Sequence, residues 1–403
     1  MKILQVAFKV PYPPKDGGAL AMLNMAIGYK DLGHVITVLS ANTRKHFASI
    51  ADFPDEIKEI ADFHMVNLDT SVRLPRLILN LFTGKLPYNA ERFISVDFEK
   101  KLTGLLQENQ YDIVQVEGIY MGLYIPIIRK YFNGKILFRA HNVEWQIWQR
   151  IANNSMNPVK RAYFKILSNR MRRLELKILN SGDLVFPITR NDRDIFQEMG
   201  CRLPMFVAPF GIETSVYKKL ELPDLSNGLR RLVFIGSLDW IPNQEGLLWF
   251  LQNVWRPFKK KHPHVIFAIA GRNAPPSLVK KIQKFPVIYS GEVNNSQDFI
   301  GTGEIMVAPL FSGSGMRVKN IEAMALGRCV MTSAVGAEGL DVTHMKNIIL
   351  ADTAQDYLNN LELLSVHPGK ISEIGKEAFS LVREKFDNLV ICSEMLNFIA
   401  NRE

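Results

Sequence analysis

Between residues 312 and 340 the chain reads SGSGMRVKNIEAMALGRCVMTSAVGAEGL, and this stretch gathers residue types suited to a phosphorylated ligand. Gly313 and Gly315 open the backbone at an expected helix start, where free N–H groups can face an anion. Arg317 and Lys319 follow in the first turn, where the helix dipole disfavours cations unless an anion is bound. Glu322 lies seven residues after Gly315 on an otherwise apolar helix with Ile321, Ala323, Met324 and Ala325. A carboxylate there can accept two hydroxyl hydrogen bonds from a ribose while the turn holds phosphates. Ser314, Gly315 and Met316 in the turn are further candidate contacts. An ordinary strand–helix junction with surface charges is the competing reading, and cations at a helix start count against it.

Other candidates sit at strand ends. The loop Lys15-Asp16-Gly17-Gly18 falls between the first strand and the first helix, and its paired glycines can turn N–H groups toward an anion. A plain tight turn explains the same dipeptide. The spacing is not G-x-G-x-x-G, so neither half carries a dinucleotide fingerprint, and a nicotinamide oxidoreductase fits poorly. Glu117 ends the run VQVEG and His141 follows KILFRA, both at carboxyl ends of expected strands, where open α/β sheets bind ligands. The only Asp-x-Asp, Asp192 to Asp194, follows a strand and begins a helix, and reads as a cap before a metal site. His262 and His264 lie in a lysine-rich stretch and read as solvated surface. Cys201, Cys329 and Cys392 are too far apart for a disulfide framework or zinc motif.

These residues need a scaffold, and the hydrophobic pattern supplies one. Lys2–Ala7 reads as a buried parallel strand, 19–32 as a helix and 35–39 as a second strand, a βαβ start. Short β-branched runs at 111–118, 135–142, 183–189 and 205–211 continue the first half. The second half restarts with a strand and loop at 230–240, a helix at 244–258, and strands at 264–272, 287–293 and 303–310. A helix at 316–326 and a strand at 329–334 follow. Alternation in two blocks predicts two doubly wound, Rossmann-like α/β domains at 1–210 and 211–385. A final helix at 386–403 is expected to pack back on the first domain, and the cleft between the domains is the expected site.

A chain of 403 residues with 47% hydrophobic and 22% charged residues is folded and long enough for two cores. No run approaches the ~20 apolar residues of a spanning helix. The N-terminus lacks a signal-peptide pattern, so a cytoplasmic location is expected. The formal charge of +9 pulls mildly toward anions, but no clustered basic–aromatic module points to nucleic acid. Two segments mix cations with apolar residues. In 158–179, Tyr163, Ile166, Leu167, Met171, Leu174 and Ile178 form a stripe, with Lys160, Arg161, Lys165, Arg172 and Arg173 largely off it. The segment 73–85, RLPRLILNLFTGK, has the same character. Both are candidates for peripheral contact with an anionic membrane; the alternative for the first is a stripe packed on its own core.

Taken together, PYPPKDGG near the start, AHNVE at 140–144, FIGSLDWIPNQEGLLWFL at 234–251, VAPLFSGSGMRVKNIEAMALG at 307–327 and GAEGL at 336–340 resemble the family 4 (group 1) retaining glycosyltransferases over nearly the whole chain. The resemblance implies a GT-B fold and transfer of a sugar from a nucleotide-diphosphate sugar to a glycan or lipid-linked acceptor, with retention of configuration. Surface polysaccharide or glycoconjugate synthesis is the expected setting. Glu322 corresponds to the second glutamate of the family's Glu–seven residues–Glu motif. Arg317 and Lys319 are expected to neutralise the diphosphate, and Gly17, Gly18, Gly236 and Ser237 to line the donor. Backbone groups of Gly291, Glu292 and Val293 are candidates for the base. Asp16, Glu117 and His141 are the acceptor-side candidates, His141 also being a candidate catalytic residue. No cofactor or metal is implied, and the resemblance suggests front-face attack in which the leaving diphosphate itself accepts the acceptor proton, so that no protein base is needed.

Two features, at three positions, depart from the family pattern. The motif's first glutamate falls at Ser314, and the arginine and lysine that many relatives carry after the first strand of the second domain are replaced near Ser237 and Glu245. A GT-B nucleotide-sugar epimerase and a non-catalytic nucleotide-sugar-binding protein are the alternatives.

Overall fold

In the computed structural model, which describes residues 1–218, 220, 225, 228–312 and 315–402, the chain divides into two units. The first comprises Met1–Gly211 with Asn388–Glu403, and the second Ile212–Asp387.

Six short strands build the first unit: β1 (Lys2–Ala7), β2 (Val35–Thr43), β3 (Asp62–Leu68), β4 (Ile113–Glu117), β5 (Lys135–Ala140) and β6 (Leu184–Pro187). All are parallel, in the order β3-β2-β1-β4-β5-β6. The four central strands are buried nearly end to end, which is why they read as largely apolar runs without regular alternation, with Gln5, Gln115, Glu117 and Arg139 among their buried polar exceptions. The order reverses between β1 and β4, so the crevice at their carboxyl ends is the natural ligand position in this unit. Helix Gly17–Asp31 covers one face, and the closing helix Asn388–Ala400 packs against it. A Cβ on Gly28 would stand 2.5 Å from Cys392 Sγ, so the two helices meet closely only because position 28 is glycine.

The second unit repeats the plan with β7 (Arg231–Ile235), β8 (Ile266–Ala270), β9 (Ile288–Gly291), β10 (Ile305–Ala308), β11 (Cys329–Thr332) and β12 (Ile349–Leu350). Their order is β12-β11-β10-β7-β8-β9, so the reversal falls between β7 and β10. Trp255, Phe250, Phe258 and Phe267 fill the core on one face of this sheet.

Two expectations change, and the choice between two readings of 158–179 is decided. The run 205–211 is not a strand. It lies beside β6, with Val185 N–H donating to Pro204 O and Phe206 N–H to Val185 O, but Pro204 and Pro209 lack the donors a ladder needs. The helix expected at 244–258 begins at Ile241 and widens into a π turn at Leu251–Trp255 before Arg256–Lys261. Pro257, one residue into that last segment, removes a helical donor and crowds the preceding turn, which accounts for the widening. Finally, Leu167, Met171, Leu174 and Ile178 of helix Pro158–Leu179 are core residues, so most of that stripe faces its own unit.

Candidate functional site

In the second unit the site grows from the β7–β10 reversal. β7 runs straight into Gly236 and Ser237. Gly236 carries no side chain because Asn243 Nδ2 and Lys319 Nζ would stand 2.8 and 3.4 Å from a Cβ there. Next door, a Cβ on Gly271 would meet the Gly236 carbonyl at 2.4 Å. Asn243, in the first turn of helix Ile241–Phe250, ties the loop together: its Nδ2 donates to Ser237 O (2.9 Å) and its Oδ1 accepts from Lys319 Nζ (3.0 Å). From the β10 side, helix Val318–Ala325 brings Arg317 as its N-cap, Lys319 in its first turn and Glu322 one turn later. Gly315 takes φ +81°, a left-handed turn that glycine adopts without strain.

The electrostatics at this crevice favour an anion. Burial, reinforced by the neighbouring Arg317 charge, pushes the Lys319 ammonium down to about 7, while its amine lies 4.7 Å from the centre of the Phe234 ring. The Arg317 guanidinium stacks over Trp240 at 5.0 Å. Burial raises the Glu322 carboxyl, partly offset by Tyr217, whose hydroxyl donates to Glu322 Oε1 at 3.1 Å. Two cations and a carboxylate at one strand crevice can together neutralise a diphosphate and hold vicinal hydroxyls.

Not every candidate joins this group. Gly291 ends β9, two strands away from β7, and Glu292 and Val293 follow it; Gly291 has φ +69° and its carbonyl accepts from Gly271 N–H, and Glu292 is exposed. Gly313 and Ser314 lie outside the described residues, and Met316 is half-buried.

In the first unit, β1 delivers Phe8 and Lys9, β4 delivers Glu117 and Gly118, and β5 delivers His141. Gly118 has φ +74° and its missing Cβ leaves room for the Phe8 ring. Glu117 is completely buried. Its Oε1 accepts from Gln5 Nε2 (2.7 Å) and Gln115 Nε2 (2.6 Å), and its Oε2 accepts from His141 Nε2 (2.5 Å), with Arg139 Nη1 at 3.7 Å. Burial would raise this carboxyl, but Arg139, His141 and Gln5 together outweigh it and hold the group at about 2. The expectation that Glu117 meets an acceptor directly is therefore corrected: no oxygen is left facing solvent, and the residue orients His141. Burial keeps the His141 pKa below its ordinary value despite Glu117. A carboxylate can only accept, so Nε2 carries the proton and the neutral ring presents Nδ1 as an acceptor.

Asp16 caps helix Gly17–Asp31 by accepting from Ala19 N–H (2.9 Å) and pairs with Lys9 Nζ at 2.6 and 2.8 Å. A Cβ on Gly18 would come within 2.9 Å of that ammonium, whereas Gly17 is exposed. The glycine pair thus gives space to an internal ion pair, and Asp16 has two tasks of its own. Asp192 and Asp194 are not the cap of their helix; Thr189 is, accepting from Asp192 N–H, and Asp194 pairs with Arg193. His262 is less solvated than expected, stacking on Phe258 and bonding to Glu362 at 2.9 Å. The three cysteines are free. Among the described residues no cluster of three or more His, Cys, Asp or Glu could hold a metal ion.

A pair of carboxyls went unread in the sequence. A pocket beside His141 is lined by Phe8, Tyr120, Asn142, Glu144 and Glu175, among others. Burial pushes Glu144 up to about 7 and Glu175 to about 8. Glu175 accepts from the backbone N–H groups of Glu144 (3.0 Å) and Trp145 (3.2 Å), closing the start of helix Glu144–Asn154. The available signals were Glu144 one turn after His141, and a glutamate next to Leu174 on a stripe that is otherwise apolar.

The geometry defines a class: two doubly wound domains, each with polar and charged groups at its own strand-order reversal. Among solved structures, the chain is similar to Anabaena Alr3699/HepE in complex with UDP, with TM-score 0.69 and 15% identity over 100% of both chains. It is also similar to sucrose-phosphate synthase from Thermosynechococcus elongatus, with TM-score 0.69 and 15% identity over 100% of this chain and 99% of that one. A glycosyltransferase from Rickettsia africae gives TM-score 0.68 and 14% identity over 99% and 98%. An uncharacterized 44.6 kDa protein in the cps region of Klebsiella pneumoniae is 23% identical over 409 residues, 98% of each chain. The fold is GT-B. Residues 230–365 match the family model of the glycosyl transferases group 1.

Proposed function

We propose that this protein is a retaining, metal-independent glycosyltransferase that moves a sugar from a nucleotide-diphosphate sugar to a glycan or lipid-linked acceptor in surface polysaccharide synthesis. One observation carries the reading: Lys319, held by Asn243 against the Ser237 loop, stands with Arg317 and Glu322 at the strand reversal of the second unit. The similar Anabaena structures contain UDP, and in one case UDP-glucose, which favours a uridine donor. The cps-region setting of the Klebsiella protein favours a polysaccharide product.

In this mechanism Arg317 and Lys319 stabilise the charge that builds on the departing diphosphate, a task often given to a metal ion. Glu322 accepts the ribose hydroxyls. Departure of the diphosphate breaks the bond to the anomeric carbon, and the acceptor hydroxyl attacks from the same face. Its proton passes to the leaving phosphate oxygen, so no protein base is required. His141, oriented by Glu117, accepts a hydrogen bond from a sugar hydroxyl through Nδ1.

Calorimetric titration of UDP, GDP, ADP and TDP tests the donor site, with Glu322→Ala alongside. Losing the charged hydrogen bonds to ribose should cost about 1.5–3 kcal/mol, roughly a ten- to hundredfold weaker Kd. Binding of one nucleotide that the variant leaves untouched would remove Glu322 from the site. A donor converted to an isomer with no acceptor consumed would replace transfer by epimerisation.

A further inference from the structure

Helix Leu74–Thr83 leaves its apolar side in water. Phe82 is 81% exposed and Leu79 62%, and Leu74 and Ile78 are exposed as well. Residues 74, 78 and 82 are spaced four apart, so they stack along one side of the helix. The helix is fixed in place from its other side. Arg170 Nη1 donates to Asn80 O (2.8 Å) and Oδ1 (3.2 Å), and its Nη2 to Leu81 O (2.8 Å). These bonds set it beside helix Pro158–Leu179. One, two and three turns before Arg170, on the same face of that helix, come Ile166, Tyr163 and Val159, of which Ile166 and Val159 are exposed. Met156, just ahead of that helix, is 95% exposed. A band of large apolar side chains therefore runs from one helix onto the start of the other.

The charge around this band is mainly positive, with two carboxylates at its margin: Asp69, paired with Arg73 at 2.6 Å, and Glu91, which accepts from Asn80 Nδ2. Residues 70–90 contain Arg73, Arg76 and Lys85 and no Asp or Glu. Residues 145–174 contain Arg150, Lys160, Arg161, Lys165, Arg170, Arg172 and Arg173, again with no acidic residue. Among the described residues no helix is long and apolar enough to cross a membrane. An apolar ridge framed by an excess of cations is complementary to a surface with an anionic outer layer and an apolar layer beneath it.

We propose that helix Leu74–Thr83, with the start of helix Pro158–Leu179, docks this protein on an anionic lipid bilayer, with Leu74, Ile78, Leu79 and Phe82 entering the headgroup–acyl boundary. The contact belongs to this short helix and not to the Leu167–Ile178 stripe, which the core occupies. It stands independently of the proposed glycosyl transfer.

Flotation of the full chain with vesicles tests it. At low salt the protein should rise with vesicles of phosphatidylcholine and phosphatidylglycerol at about 3:1 and stay behind with phosphatidylcholine alone. Raising the salt several-fold should weaken the binding, because screening acts on the cationic frame. The exposed-site variant Ile78→Ser/Phe82→Ser should lower the partition coefficient at least tenfold, and Arg76→Glu/Lys165→Glu should lower it further toward none. Both variants should keep the wild-type Tm and the wild-type UDP titration, which separates this test from that of the donor site. Failure of the wild type to float with anionic vesicles would overturn the proposal, as would serine variants that float like the wild type. A wild-type dimer that the serine variant turns into a monomer, without any lipid effect, would assign the ridge to a second copy of the chain instead.

Discussion

Affinity for a nucleoside diphosphate should fall steeply as pH rises above neutrality, and Lys319 should be the cause. In the free protein, burial and the adjacent Arg317 hold its pKa at about 7, so the amine is already losing its proton where most assays are run. A bound diphosphate supplies the missing counter-charge and returns the pKa toward the ordinary lysine value of 10.5. Binding and protonation are then linked. The group is raised in the bound state, so the affinity it supplies is complete below the free-state pKa and is lost as pH climbs toward the bound-state value. Between about pH 7.5 and pH 9.5 the two titrations predict a loss of roughly 70-fold, or about 2.5 kcal/mol. The terminal phosphate, with a second pKa near ~6, is fully ionised across this window and adds no slope of its own. Titrating UDP by calorimetry in buffers of different ionisation enthalpy would give both the slope and the proton uptake. Lys319→Arg should bind at all these pH values with little slope, because the guanidinium does not titrate there. Lys319→Gln should bind weakly and equally flatly. A wild-type profile that is flat, or a slope that survives both substitutions, would refute the linkage.

Glu117→Ala should lower stability by about 3–5 kcal/mol, since it leaves Arg139 buried without its carboxylate; a denaturant melt would show it. Because Glu117 is held at about 2, its stabilising effect should be present above ~4.5 and fade as pH falls through that range toward 2. Glu144 titrates the other way: with a folded pKa of about 7, the wild type should lose stability as pH rises from about 4.5 to 7, and Glu144→Gln should show a shallower fall in Tm. Gly246→Ala would place a Cβ 1.9 Å from the Pro309 carbonyl, so helix Ile241–Phe250 must move; we expect a loss of about 1–3 kcal/mol with weakened nucleotide binding, read by Tm and titration.

How far the sequence reveals this arrangement depends on how local each signal is. Buried parallel strands announce themselves by mostly apolar, non-alternating runs such as KILQVA and KILFRA, and the doubly wound pattern follows from their alternation with helices. The sheet edges do not: β3 reads DFHMVNL, half polar because one side faces water, and β12 has two residues. Arg317, Lys319 and Glu322 share one helix start, so spacing alone groups them. Glu117 and His141 look equivalent as strand-end residues. What separates them is a partner set drawn from three strands, Gln5, Gln115 and Arg139, which no local pattern reports. Glu144 and Glu175 meet across thirty-one positions, through a bond from backbone to side chain that leaves no spacing rule.

The closing helix has a temporal side. Ile391, Cys392, Met395 and Ile399 belong to the core of the first unit, although nearly all of the second unit's chain is made before them. On a ribosome, residues 212–387 can complete their own sheet while the earlier-made unit still lacks a wall. Ile212 N–H meets Phe386 O, so entry to and exit from the later sheet are already stitched together when the last helix emerges. Truncating the chain before Asn388 would therefore damage the part of the protein synthesised first and spare the part synthesised just ahead of the cut.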